Sequence, residues 1–227
     1  MYTTLLFDID DTLLDFKKTE KYAIAETLKS YDMEPMDQVI KDYAEINRNL
    51  WELYQKGGIE KNRLVVKRFE ELFEKYGICA DAAEANQKYL ENNANGWFLL
   101  EGAKETLEKL SKTYEVYAVT NALLWVSTKR IEGSGLRPYF KKVFNSDEIG
   151  ASKPNKEFFD VVFANINETD KSKILIIGDS LSSDILGGVN AGIDTAWINP
   201  NGLTTDLPVT IEVKSVTELI ELLAVDC

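Results

Sequence analysis

Three acidic residues stand directly after a short apolar segment near the N-terminus. Residues 2–7 are rich in β-branched and aromatic side chains, which is typical of a buried strand, and Asp8, Asp10 and Asp11 follow them. A buried strand that ends in carboxylates needs a counter-charge, and a metal cation is the simplest one. Because alternate side chains of an extended segment share a face, we expect Asp8 and Asp10 to point to one side and Ile9 into the core.

The same residues also allow a purely structural interpretation. Aspartate and threonine are favoured in turns and at helix N-termini, so Asp10, Asp11 and Thr12 could form only a turn or a helix cap. Polar residues at equivalent places further along the chain would favour a functional site instead.

Polar residues do follow two later apolar segments in the same way. Thr120 and Asn121 come after one predicted strand, and Asp179 comes after another, with Asp184 close behind it. In open parallel sheets the carboxyl ends of the strands meet at one edge, and ligands bind there. We therefore expect these side chains to lie close to the acids of the first strand.

A lysine followed by proline, Lys153-Pro154, lies between these two strands in the sequence. Proline fits the first turn of a helix, which would place the lysine beside the start of that helix. The lysine, a hydroxyl and an amide suit an anion, and the acids suit Mg²⁺, which takes oxygen ligands and commonly keeps waters. Each set alone could be a helix cap or a solvated side chain, but their joint occurrence at strand ends favours a metal and phosphate site.

The amino-acid composition indicates the general class of protein. The chain has 227 residues, of which 44% are hydrophobic and 28% charged, so it suits one large globular domain or a domain with an insertion. Its formal charge of -12, from 26 basic and 38 acidic residues, argues against a nucleic acid polymer as partner, because that surface needs a basic stripe.

Residue types that are absent or rare exclude several kinds of catalytic and metal site. The chain has no histidine and only two cysteines, Cys79 and Cys227, which excludes His-based triads, the usual zinc sites and a disulfide framework. No segment reaches the length of a membrane span, and the N-terminus lacks the pattern of a signal peptide. We therefore expect a cytoplasmic protein without a membrane partner.

A long helical pattern separates the first acids from the rest of the predicted sheet. Apolar residues recur at spacings of three and four along residues 36–53 and 64–76, as in an amphipathic helix. Together with residues 16–31 and 81–90, these segments predict a four-helix bundle. The predicted core of its second helix consists of Met36, Val39, Ile40, Tyr43, Ile46, Leu50 and Leu53.

Helix and strand patterns alternate from Gly102 onward, which predicts right-handed crossovers and a parallel sheet covered on both faces. The predicted later strands are residues 115–119, 143–144, 174–177 and 195–198, and the predicted helices are residues 103–110, 123–132, 156–166, 182–191 and 215–224. We therefore predict an α/β fold with a doubly wound parallel sheet at residues 1–14 and 97–227, and an inserted helical domain at residues 15–96.

These motifs and their order resemble those of the haloacid dehalogenase (HAD) superfamily. The matching residues are Asp8-Ile9-Asp10-Asp11-Thr12, Thr120-Asn121, Lys153-Pro154, and Gly178-Asp179-Ser180 with Asp184. The helical insert is similar to the C1 cap of that superfamily, so the resemblance covers nearly the whole chain and implies a HAD-like Rossmannoid core. Residues 7–16 and 178–192 are similar to its YjjG/YfnB branch, which includes pyrimidine 5′-nucleotidases.

The sequence departs from the family pattern at two places. Ala122 stands where the second motif usually has glycine, which leaves Thr120 and Asn121 in place but would tighten a phosphate pocket. Glu101 precedes Gly102 where proline is frequent, and this bears only on the hinge of the cap.

The resemblance implies a role for each matching residue. Asp8 would be the nucleophile that forms an aspartyl-phosphate, and Asp10 would protonate the leaving alkoxide and later deprotonate the hydrolytic water. Asp11 is left as an acid of the turn. The phosphate would be bound by Thr120, Asn121 and Lys153, and Mg²⁺ by Asp8, the carbonyl of Asp10 and Asp179, with Asp184 in an outer shell or acting through water.

Asp10 also distinguishes reaction classes within the resemblance. The dehalogenases attack carbon, need no acid for an alkoxide and lack an aspartate at that position. We therefore expect a Mg²⁺-dependent phosphatase for small phosphomonoesters, most concretely a 5′-nucleotidase for pyrimidine nucleoside monophosphates. The alternatives are a sugar-phosphate phosphatase or phosphoglucomutase-like enzyme, then a haloacid dehalogenase, then a non-catalytic phospho-ligand binding protein.

The expected partner is a small phosphorylated metabolite, bound by a monomer or a weak homodimer. Trp51, Tyr54, Trp97 and Phe98 are candidates to stack on its base or ribose. Helix-spaced aromatic residues more often form a core, so the nucleotidase hypothesis depends on the resemblance.

Overall fold

The structure is a computed structural model that describes residues 1–31 and 33–224. The chain forms two compact units, one made of Met1–Phe16 and Trp97–Cys227 and the other of Lys17–Gly96. Cys79 is exposed, whereas Cys227 lies outside the described residues. Within those residues, no helix combines the length and the apolar character that crossing a membrane requires.

The first unit is built on a parallel sheet, which has six strands in the described part of the chain. The strands are β1 (Thr4–Phe7), β2 (Glu115–Thr120), β3 (Val143–Asn145), β4 (Ile174–Gly178), β5 (Asp194–Ile198) and β6 (Ile211–Val213). Their order across the sheet is β3-β2-β1-β4-β5-β6, so the strand order reverses between β1 and β4. The prediction of a doubly wound parallel sheet is confirmed, and the sequence interpretation missed only β6.

Both faces of this sheet are buried, which explains why the central strands β1 and β4 are mostly apolar. In β1, Leu5 and Phe7 pack into an apolar cluster on one face and Leu6 packs into a second cluster on the other. A strand buried on both faces has no room for unpaired polar side chains, so these collect where the strands end.

Within the described residues, the second unit consists of four helices joined by loops, as the sequence pattern predicts. The helices are α1 (Phe16–Lys29), α2 (Asp37–Gln55), α3 (Lys61–Tyr76) and α4 (Ala82–Ala94). Gly77 ends α3 in the left-handed conformation, with φ 63°, and the side chain of Asp81 accepts hydrogen bonds from the first turn of α4.

The helices of the first unit connect its strands. They are α5 (Ala103–Leu110), α6 (Leu124–Gly133), α7 (Ser146–Ile149), α8 (Lys156–Phe163), α9 (Leu186–Ala191) and α10 (Leu219–Leu222). A π-helical turn, Leu181–Ile185, precedes α9, and a 3-10 turn, Val216–Glu218, precedes α10.

Some predicted boundaries are wrong for local reasons. The predicted helix at residues 156–166 ends at Phe163, where the Asn165 side chain donates to the carbonyl of Val161. This helix begins at Lys156, so Pro154 precedes it instead of lying in its first turn. β6 was missed because it is three residues long and only Val213 in it is buried.

The predicted core stripe of α2 is only partly right. Val39, Tyr43 and Leu50 are buried, but Met36 and Leu53 are 60% and 40% exposed. Polar residues take part of the buried face instead, because they belong to a hydrogen-bond network inside the bundle.

Arg68 of α3 is the centre of this buried network. Its guanidinium donates to the side-chain oxygens of Asn47 at 3.0 Å and Asn86 at 2.7 Å, and Asn47 donates to Glu20 at 2.6 Å. The guanidinium carbon also lies 4.4 Å from the ring centroid of Tyr89. The charge of Arg68 is therefore satisfied by two amides, the backbone carbonyl of Val65 and an aromatic face instead of by water.

We predict that Arg68→Met destabilises the protein strongly. The substitution keeps an unbranched side chain but leaves the buried side-chain oxygens of Asn47 and Asn86 without their charged donor, which costs about 1–3 kcal/mol for each buried group left unpaired. Urea denaturation followed by circular dichroism measures the free energy of unfolding. Arg63→Met is the matched control, since Arg63 pairs with Glu70 on the exposed surface of the same helix. Equal effects of the two substitutions would contradict the prediction.

Candidate active site

The acids of the first motif lie where β1 reaches the carboxyl edge of the sheet. The backbone N–H of Asp8 still donates to the carbonyl of Ile177 in β4, at 2.9 Å, so this residue is fixed by the ladder. Asp11 then turns the chain, with φ 56°, and its side chain accepts a hydrogen bond from the N–H of Phe16 at the start of α1. The structural interpretation as a turn and helix cap therefore holds for Asp11.

Lys153 brings the motifs together. Its ammonium nitrogen lies 2.6 Å from Asp8 Oδ1, 2.7 Å from Asp184 Oδ1 and 2.9 Å from the carbonyl oxygen of Val119. The residue is only 2% exposed, so these three partners take the place of its water shell. Burial lowers the pKa of Lys153, but the carboxylates of Asp184 and Asp8 outweigh it and hold the pKa above its ordinary value.

Three carboxylates surround this lysine. Asp8, Asp179 and Asp184 each offer an oxygen, and these oxygens all lie within 4.8 Å of one another. Their three negative charges exceed the single positive charge of Lys153 by two. Because the site is buried, this excess of negative charge is destabilising unless protons or a cation neutralise it.

Burial and the excess of negative charge raise the pKa values of two of these acids. Burial, followed by the nearby carboxylates of Asp184 and Asp10, raises the pKa of Asp8 to about 8 even though Lys153 opposes the shift. Burial and then the charges of Asp184 and Asp8 raise the pKa of Asp179 to about 9. A divalent cation stabilises buried carboxylates that otherwise repel one another.

The donor set fits Mg²⁺ by its chemistry. It consists of carboxylate oxygens, with a net charge opposite to that of a divalent cation, and it contains neither sulfur nor imidazole ligands. Asp184 differs from the other two acids, because its Oδ1 contacts Lys153 and its Oδ2 accepts the backbone N–H of Ser180 at 3.1 Å. Both of its oxygens are engaged, which favours a position outside the first coordination shell.

Two residues fix the loop that carries Asp179 and Asp184. A Cβ atom on Gly178 would lie 2.3 Å from a carboxylate oxygen of Asp184, so only glycine allows this close approach. On the other side, the indole N–H of Trp197 in β5 donates to the backbone carbonyl of Asp179 at 2.8 Å.

Thr120 and Asn121 end β2 beside the same cluster. The hydroxyl of Thr120 is buried and accepts the N–H of Ala122 at 3.1 Å. The side-chain amide of Asn121 donates to the carbonyl of Lys153 at 2.9 Å and accepts its N–H at 3.0 Å. Asn121 therefore holds the backbone of Lys153, which leaves its own backbone as the group available to an anion.

Asp10 has a different partner from the three clustered acids. Its Oδ1 accepts a hydrogen bond from Arg130 Nη1 at 2.5 Å, and the guanidinium carbon of Arg130 lies 5.6 Å from the ring centroid of Phe16. Sequence reasoning missed Arg130. A signal was present, because Arg130 shares the buried face of α6 with Val126 and Ile131, where a charged residue needs a partner.

The aromatic candidates have structural contacts. Trp51 and Tyr54 pack edge to face, with ring centroids 5.6 Å apart. The ring of Trp97 lies against Gly133 of α6, where a Cβ atom would approach it to 2.4 Å, and its side chain is nevertheless 42% exposed.

Comparisons with known proteins found relatives over nearly the whole chain. The family model described as haloacid dehalogenase-like hydrolase matches residues 5–198. The pyrimidine 5′-nucleotidase PynA of Streptococcus pneumoniae is 39% identical, over 98% of this chain and 95% of its own length. The pyrimidine 5′-nucleotidase YjjG of Escherichia coli is 32% identical, over 96% of both chains.

A solved structure is similar over the whole chain. The HAD-hydrolase YfnB of Bacillus subtilis, bound to magnesium, superposes with a TM-score of 0.95 and 37% sequence identity, and the match covers 99% of each chain.

We predict that Gly178→Ala disrupts the site without unfolding the protein. The new methyl group would displace the Asp184 carboxylate and, through it, the ammonium group of Lys153. A misplacement of about 1 Å in a catalytic group costs on the order of 100-fold in rate. Steady-state phosphate release measures the loss, and circular dichroism checks that the variant keeps its fold. Full activity of Gly178→Ala would contradict this account.

We predict that Mg²⁺ binding releases protons near neutral pH. Metal ligands must be deprotonated, and burial with mutual repulsion keeps the pKa of Asp8 at about 8 and that of Asp179 at about 9 in the metal-free protein. The apparent affinity should therefore rise as pH increases from about 6 to 9. Titration calorimetry in two buffers of different ionisation enthalpy counts the protons, and Asp179→Asn should weaken binding. An affinity independent of pH would refute the prediction.

Proposed function

The chain belongs to the haloacid dehalogenase-like hydrolase family, and on that premise we propose that it is a Mg²⁺-dependent phosphatase for small phosphomonoesters. The observation that carries the proposal is the position of Asp8, which lies at the end of β1 in contact with Lys153 and beside the acids of β4. A nucleophile, a cationic phosphate-binding group and a dicationic metal are the parts that phosphoryl transfer needs.

The chemistry proceeds in two steps. A carboxylate oxygen of Asp8 attacks phosphorus, the bond to the leaving oxygen breaks, and the alkoxide takes a proton from Asp10. Water then attacks the phosphorus of the aspartyl-phosphate, gives a proton to Asp10, and the bond from Asp8 to phosphorus breaks. The sum is hydrolysis of the ester to an alcohol and inorganic phosphate, with both aspartates restored.

The remaining residues bind and orient the phosphoryl group. The ammonium group of Lys153 and the hydroxyl of Thr120 would contact its oxygens, and the backbone around Ile9 and Asn121 would add N–H donors. Mg²⁺ would be held by Asp8, the carbonyl of Asp10 and Asp179, with Asp184 in the outer shell, and it supplies neutralisation of the approaching negative charges.

Pyrimidine nucleoside monophosphates are the substrates we propose. The support is that PynA and YjjG, which match this chain over nearly its full length, are both pyrimidine 5′-nucleotidases. We further propose that residues 15–96 act as a cap domain that selects the substrate, while residues 1–14 and 97–227 act as the catalytic core, because the core groups recognise only phosphate.

A substrate panel tests the proposed function. The purified protein with Mg²⁺ should release phosphate from p-nitrophenyl phosphate and should prefer UMP, dUMP and dTMP over AMP, GMP and sugar phosphates. EDTA should abolish all of these activities. A preference for sugar phosphates would instead assign a sugar-phosphate phosphatase, and isomerisation without phosphate release would assign a mutase.

Asp8→Asn should lose phosphate release from every substrate, because an amide is a poor nucleophile and cannot form the aspartyl-phosphate. The matched control is Asp160→Asn, which removes an equal charge from the surface of α8, where Asp160 pairs with Lys156. Malachite-green detection of phosphate compares the two variants. Activity retained in Asp8→Asn would exclude the mechanism.

A further inference from the structure

Arg130 is a buried cation that the chemistry above does not use. It lies on α6, which follows the phosphate-binding end of β2, and it is only 1% exposed. Its ion pair with Asp10 joins two residues 120 positions apart in the sequence. A buried arginine is costly to keep, so its contact with the proposed acid and base of the reaction invites a functional explanation.

The geometry restrains Asp10 in a particular way. The carboxylate side chain is 27% exposed, so one side of it remains open to a reactant while Arg130 contacts Oδ1 from the protein interior at 2.5 Å. The arginine itself has little freedom, because it is buried among α6 neighbours and its guanidinium lies by the ring of Phe16. A rigid donor on one oxygen leaves the other oxygen as the one that exchanges a proton.

We propose that Arg130 is a positioning residue that orients the Asp10 carboxylate for proton transfer to the leaving group and from water. This rests on the proposed phosphatase function. Arg130 does not touch the phosphoryl group in this scheme, since Lys153 and Thr120 perform that task. Its loss should therefore lower kcat without weakening the binding of substrate.

The leaving group gives the sharpest test. p-Nitrophenolate departs without a proton, whereas the alkoxide of UMP needs one from Asp10. In Arg130→Met, rapid-quench experiments with p-nitrophenyl phosphate should show a fast burst of one p-nitrophenolate per enzyme, followed by slow turnover as the aspartyl-phosphate awaits its water. With UMP, the first step itself should slow by on the order of 100-fold, the size of a general-acid contribution.

A double-mutant cycle separates positioning from general damage. If Arg130 acts through Asp10, Arg130→Met should have no further effect on kcat once Asp10→Asn is present. Lys129→Met, on the exposed side of the same helix, should behave as the unmodified enzyme. Arg130→Lys keeps the charge without the guanidinium geometry, and it should show the same pattern in milder form if Arg130→Met fails to fold.

The outcomes are distinct. Equal losses on both substrates with a reduced burst amplitude, or additive effects in the cycle, would overturn the positioning role and leave the phosphatase intact. Unchanged UMP turnover in Arg130→Met would overturn it as well. Absence of phosphate release from both substrates by the unmodified enzyme would instead reject the proposed function.

Discussion

The carboxyl edge of the sheet depends on the contacts of the buried ammonium group of Lys153. It contacts Asp8 of the first motif, Asp184 of the last and the carbonyl of Val119 at the end of β2, so three strand ends are fixed relative to one point. A lysine so placed cannot leave without exposing several buried charges to one another. In the proposed reaction, the same contact that binds the strand ends together would also fix the place where a phosphoryl group meets a carboxylate.

The surplus of negative charge around this lysine links stability to function. Three carboxylates around one ammonium group in a buried site do not favour the stability of the fold. This excess of negative charge is expected in a protein that neutralises it by binding a cation. Asp10 pairs with Arg130 whereas Asp8 pairs with Lys153, so these two acids of the first motif have different electrostatic environments.

Most strands of the sheet could be predicted from sequence because burial on both faces leaves a plain apolar pattern, as in β1 and β4. The convergence of Asp8, Lys153 and Asp184 followed from the rule that parallel strands end at one edge. What could not be predicted was which individual side chain contacts which group. The contact of Asn121 with the backbone of Lys153, and that of Arg130 with Asp10, depend on the exact rotation of a helix or loop, which periodicity alone does not determine.

The hydrogen bond from the Trp197 indole to the carbonyl of Asp179 gives the protein a natural optical probe. Indole fluorescence responds to the polarity and field around the ring, and Trp197 is 2% exposed, whereas Trp97 and Trp125 face solvent at 42% and 38%. Its emission should therefore be the bluest of these three and the least accessible to aqueous quenchers. A spectroscopist can thus follow the strand end that carries Asp179 in the unlabelled protein, in real time.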